Sequence, residues 1–77
     1  MIHKRTPMLP SWMDRASRED ILEAAVWYQE GACRLYALAD YHRNAGSDNT
    51  AIRVQRDAAD SALLARAALA KATGSQA

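Results

Sequence analysis

Residues that carry chemistry are scarce in this chain. Of its 77 residues only Cys33 is a cysteine, which excludes an intrachain disulfide framework and a CxxC metal pair and fits a reducing, cytoplasmic setting. Histidine occurs twice, as His3 and His42. A metal needs three or four ligands, and Asp40, His42 and the distant His3 have no recognised ligand spacing. No glycine-rich phosphate loop, GxSxG turn or ExxH pair occurs, so the phosphate cradle, the nucleophile elbow and the inward carboxylates of a di-iron bundle are all missing. Cys33 and His42 stand nine residues apart, on opposite sides of a helix. They can form a nucleophile and base pair only if another subunit supplies one half. These absences predict a protein that is no enzyme and takes no cofactor.

Charge of one sign is also lacking. A net charge of +1 excludes an acidic nucleic-acid mimic and is too small for a non-specific DNA coat. No apolar run approaches the length of a membrane span, and the basic stretch Met1 to Arg5 lacks the apolar segment of a signal peptide. Proline is confined to Pro7 and Pro10, so residues 1–16 read as an extended N-terminal arm with a short helical turn started by Ser11. Beyond Pro10 nothing interrupts helix until glycine does.

What remains is helix. With 49% hydrophobic and 25% charged residues the composition is that of a globular chain. Residues 17–44 have a marked start and stop. Ser17 followed by Asp20 resembles a capping box, Glu19 and Asp20 complement the macrodipole, and His42, Arg43 and Gly46 form a C-terminal signature. A turn at 45–48, capped by Ser47 or Asp48, leads to a second helix over 49–73 that Gly74 ends, with a disordered tail at 74–77. The expected fold is an all-α antiparallel helical hairpin with an N-terminal arm. At 77 residues such a hairpin is marginal alone, which favours a homodimeric four-helix bundle.

The first helix has three stripes. Ile21, Ala24, Ala25, Tyr28, Gly31, Ala32, Leu35, Ala39 and His42 form the core face. Leu22, Val26, Cys33 and Tyr36 form a second apolar stripe, the expected dimer interface, unless the arm folds back over it. The third is polar, Glu19, Glu23, Glu30 and Arg34 with Trp27, Leu38 and Tyr41 set among or beside them, and on it Trp27, Glu30, Arg34, Leu38 and Tyr41 form one surface. They are residue types that dominate binding hot spots, spaced along one edge, and are the candidate site for a larger protein partner. The plain alternative is a solvated face with a Glu30/Arg34 ion pair.

The second helix faces inward through Ala51, Ala58, Ala62, Ala65 and Ala72 with Val54, Gln55 and Leu69, and small side chains there let two helices approach closely. Its outer face carries Arg53, Arg56, Asp57, Asp60 and Lys71 around Leu64. In the arm, Met8, Leu9, Trp12 and Met13 are the expected contacts, either capping the chain's own core or gripping a partner.

The expected function is therefore a small protein-binding module that works through helix faces, possessing the profile of inhibitors encoded by phages and mobile elements. The competing expectation is nucleic-acid binding. A dimer of helical hairpins resembles in layout the RNA-binding copy-control proteins of plasmids, and Arg53, Arg56, Lys71, His3, Lys4 and Arg5 would have to supply its basic stripe. Asp57 and Asp60 interrupt that stripe.

Overall fold

The computed structural model describes residues 8–74. It is an all-α hairpin in which a 3-10 turn, Ser11–Asp14, precedes helix α1, Arg18–Asn44, and helix α2, Asp48–Thr73. The expected disorder of the last residues and the basic cluster at His3, Lys4 and Arg5 lie outside the described residues.

Local chemistry sets each boundary. The Ser17 hydroxyl accepts a hydrogen bond from the Asp20 amide at 3.1 Å, capping α1 and satisfying one of the orphan amides of its first turn. At the other end the Gly46 amide donates to the Arg43 carbonyl and the Ser47 amide to the His42 carbonyl. This paired closure requires a left-handed residue between them. Gly46 takes that conformation, with φ of 83°. The start of α2 differs from expectation. Asp48 is its first helical residue, and Ser47, in the capping position, makes no side-chain cap bond; its carbonyl accepts from Ala51 instead. Gly74, at φ 71°, ends α2.

The two helices meet along a seam that repeats every seven residues. Ala25, Ala32 and Ala39 on α1 are buried, as are Ala51, Ala58 and Ala65 on α2. Each alanine line is flanked by a second, Ile21, Tyr28, Leu35 and His42 on α1 and Val54, Ser61 and Ala68 on α2. This 3-4 spacing is the period of a left-handed coiled coil, slightly shorter than that of a straight helix. The difference corrects the expected inner face of α2. Ala68 is buried, Ala62 and Ala72 are partly so, Gln55 is exposed, and Leu69 is 49% exposed. A strict seven-residue seam rotates the line of Gln55, Ala62 and Leu69 to the flank. Leu64, expected amid the outer charges, is half-buried on the opposite flank.

Alanine makes the seam tight but thin. Among the described residues nine are buried hydrophobics, and only Met13 and Ile21 are larger than alanine. Both lie at the open end of the hairpin, where Met13 packs with Ile21, Ala25 and Ala68 beneath Leu9, Ala24, Tyr28 and Ala72. Mid-seam, the Ser61 hydroxyl donates to the Tyr28 carbonyl at 2.7 Å. Near the closed end, Arg43 links Asp40 at 3.0 Å and Gln55 at 2.6 Å.

Gly31 lies where the Ser61 hydroxyl crosses. A Cβ built there would meet the Ser61 Oγ at 3.5 Å, an ordinary contact. Gly31→Ala is therefore expected to stabilise the hairpin by about 0.5–1 kcal/mol through helix propensity. Chemical denaturation measures this, and a loss of stability would show that α2 sits closer to Gly31 than the structure has it.

Candidate interaction surfaces

Seven-residue lines also organise the surface. On α1, Leu22, Gln29, Tyr36 and Arg43 form the line beside the seam, and Val26, Cys33 and Asp40 the next one out. On α2 the matching lines are Gln55, Ala62 and Leu69, then Ile52, Ala59 and Arg66. Both pairs flank the seam on the same side. Leu22, Ala25, Val26 and Glu30 share one groove of about 450 Å³ with Ala65, Arg66 and Leu69, and Arg43 reaches Gln55 across the same side.

This flat side holds the expected dimer stripe. Leu22 is half-buried and Cys33 exposed. Val26 and Tyr36 are joined there by Ile52 and Leu69, and the four are 42% to 57% exposed. Sequence reasoning missed the contribution of α2, because it read Leu69 as inward and did not place Ile52. The seven-residue repeat through Ala51, Ala58 and Ala65 was the signal that locates both. Ala59 and Ala62 sit between the larger side chains, so the middle of this side is shallow.

The arm packs on the other side. Met13 is 1% exposed, and Leu9 is partly buried beside it. Lys71 Nζ holds Asp14 Oδ1 at 3.2 Å, tying the 3-10 turn to α2. Trp12 is half-exposed and lines a second groove, of about 500 Å³, with Glu23, Ala24, Trp27, Tyr28 and Ser61. Met8 departs from its expected role as an arm contact, being 91% exposed. Residues 8–16 thus leave the Leu22, Val26, Cys33 and Tyr36 stripe uncovered.

Trp27, Arg34 and Tyr41 are one line of α1, directed away from α2. Trp27 is 73% exposed and Tyr41 67%, and Arg34 and Glu30 are exposed too. The ion pair expected between Glu30 and Arg34 does not form. Both side chains extend into solvent, where such a pair is worth little. Tyr41 meets His42 edge to face, with ring centroids 5.5 Å apart. Leu38 is exposed but stands on a neighbouring line, with Ala24 and Gly31, nearer the groove that Trp12 lines. The structure therefore unites four of the five candidate partner residues on the outer face, sets Leu38 at its edge, and adds Trp12 near its Trp27 end.

No family model, curated protein or solved structure matches the chain. Among the described residues no three of histidine, cysteine, aspartate or glutamate gather as a metal site would need. No helix there is long and apolar enough to cross a membrane.

Proposed function

We propose that this chain is a non-enzymatic, cytoplasmic protein-binding module that docks on a larger protein through the outer face of α1, in the manner of the small inhibitors that phages and mobile elements direct at host or defence proteins. One observation carries the reading. Trp27, Arg34 and Tyr41 are exposed along one line of α1, where Tyr41 touches the ring of the adjacent His42 and Trp27 borders the groove that Trp12 lines. Trp, Tyr and Arg each offer large contact area or directional bonding, and their burial at the centre of an interface supplies most of its energy. Two aromatics largely in water on a rigid helix add little to the core and leave that area available for a partner. The groove between Trp12 and Trp27 extends the same surface toward the arm.

The nucleic-acid alternative has less to stand on. Lys71 is engaged by Asp14, and Asp57 lies exposed between Arg53 and Arg56 on one side and Lys71 on the other.

Trp27→Ala, Arg34→Ala and Tyr41→Ala are each expected to lose partner capture by the immobilised chain while far-ultraviolet circular dichroism stays unchanged. A hot-spot truncation costs about 2 kcal/mol or more, roughly thirtyfold in affinity. Capture that persists at wild-type level in all three variants would sink the reading.

A further inference from the structure

Residues 8–16 leave the flat side of the hairpin uncovered, and its charge pattern bears on what could cover it. We infer that the occupant is a second copy of this chain, related by a two-fold axis parallel to the helices, so that α1 lies on the partner's α2 and both turns are at the same end. This goes beyond the proposed partner surface and does not depend on it: Trp27, Arg34 and Tyr41 stay outside the contact, and of the candidate partner residues only Glu30 borders it.

Three properties of the side support the second copy. It is apolar in its middle, through Val26, Tyr36, Ile52 and Leu69, all at least 42% exposed in the single chain. It is the right size. Helices of this length run ~40 Å, and two of them packed 8–10 Å apart present a face ~18 Å wide. Each subunit would cover about 700 Å², against roughly 800 Å² in a standard interface. Third, Ala59 and Ala62 at the waist let a facing helix approach closely.

Charge chooses the arrangement. The outer edge that α1 gives this side carries Glu30, which lines its groove, and, one heptad earlier, Glu23, which also lines the groove beside Trp12. The rim of α2 carries Arg56 and Arg66 and no acid. Ala25 and Ala65 line the same groove, and the Ser61 hydroxyl meets the Tyr28 carbonyl, which fixes the register. Counting along the antiparallel helices puts Arg66 level with Ala24 and Arg56 level with Arg34, so Glu30 falls between the two arginines. A two-fold axis parallel to the helices preserves these levels while exchanging α1 for α2. Glu30 of the partner subunit then lies between Arg56 and Arg66. The other face-to-face arrangement, with turns at opposite ends, sets α1 on α1 and α2 on α2. It brings acid against acid and Arg66 near Arg56 of the partner subunit, which like-charge repulsion disfavours.

Sedimentation equilibrium of the full chain at low salt tests both halves. The wild type is expected at twice 8.5 kDa at micromolar concentration, and Val26→Glu, which puts a charge in the apolar middle, as a helical monomer. R56E/R66E makes both rims acidic and should weaken the dimer at least about tenfold, because each lost contact occurs twice under the symmetry. E23R/E30R/R56E/R66E exchanges the rims and should restore it. A monomeric wild type overturns the inference. So does a dimer whose affinity R56E/R66E leaves unchanged or tightens, since that is the behaviour of like helix on like.

Discussion

Met13→Ala lowers the stability of the folded chain by about 2–5 kcal/mol, the range for truncating a buried methionine. Among the described residues it is the largest fully buried side chain and the only buried one in the arm. Its removal leaves a cavity among Ile21, Ala25 and Ala68, and alanine and backbone offer little to collapse into it. The 3-10 turn would then be held mainly by Leu9 and the exposed Lys71 to Asp14 pair. Surface pairs of that kind contribute at most about 1 kcal/mol. Against a total stability of roughly 4–12 kcal/mol for a chain of this length, the loss is large. Thermal melting followed at the helical band measures it, and a change under about 1 kcal/mol would mean that the arm adds nothing to the core.

Ala58→Leu should be comparably damaging, for the opposite reason. Ala58 is wholly inaccessible and sits near the middle of the seam, across from α1. The helices are close because their facing side chains are methyl groups, and a leucine adds volume where no void exists. Overpacking of a tight core costs about 1–3 kcal/mol. Here the added volume pushes the helices apart along their length, so the upper end of that range is expected. Ala37→Leu makes the same chemical change at an exposed site and should stay within roughly 0.5 kcal/mol. Denaturant midpoints for the two variants that moved together would show that the alanine seam is not what holds the hairpin closed.

The hairpin itself was legible because its ends are written in local chemistry. Ser17, Gly46 and Gly74 act through bonds and backbone angles within a few residues of themselves, which a sequence exposes directly. Ser47 takes the capping position as its residue type suggests, but its side chain goes unused and Asp48 starts the helix. Leu69, Leu64 and Gln55 were misplaced for a reason that is not local. A straight-helix period accumulates an angular error over twenty-six residues that only the seven-residue seam corrects, and that seam becomes visible once Ala25, Ala32 and Ala39 are set against Ala51, Ala58 and Ala65. The outward direction of Trp27, Arg34 and Tyr41 could be read from spacing alone. The approach of Trp12 to the Trp27 groove could not, because it depends on how the arm turns at Pro10 and buries Met13.

The division of labour across the hairpin follows from these placements. One side of the seam is closed by the arm, the other is flat and apolar with rims of opposite charge, and the outer face of α1 carries aromatics that the fold does not use. In the proposed dimer the outer faces of the two α1 helices lie on opposite sides of the bundle, so two targets could be held without crowding.

Capture from lysate on the immobilised chain, with and without nuclease and with a triple Trp27→Ala, Arg34→Ala, Tyr41→Ala chain as control, tests the central claim most directly. The account predicts one stoichiometric protein that survives nuclease, tolerates added salt and is absent from the triple variant. Bound material that disappears with nuclease, falls steeply with salt and is retained by the triple variant would contradict it, and would move the site to the arginines of α2.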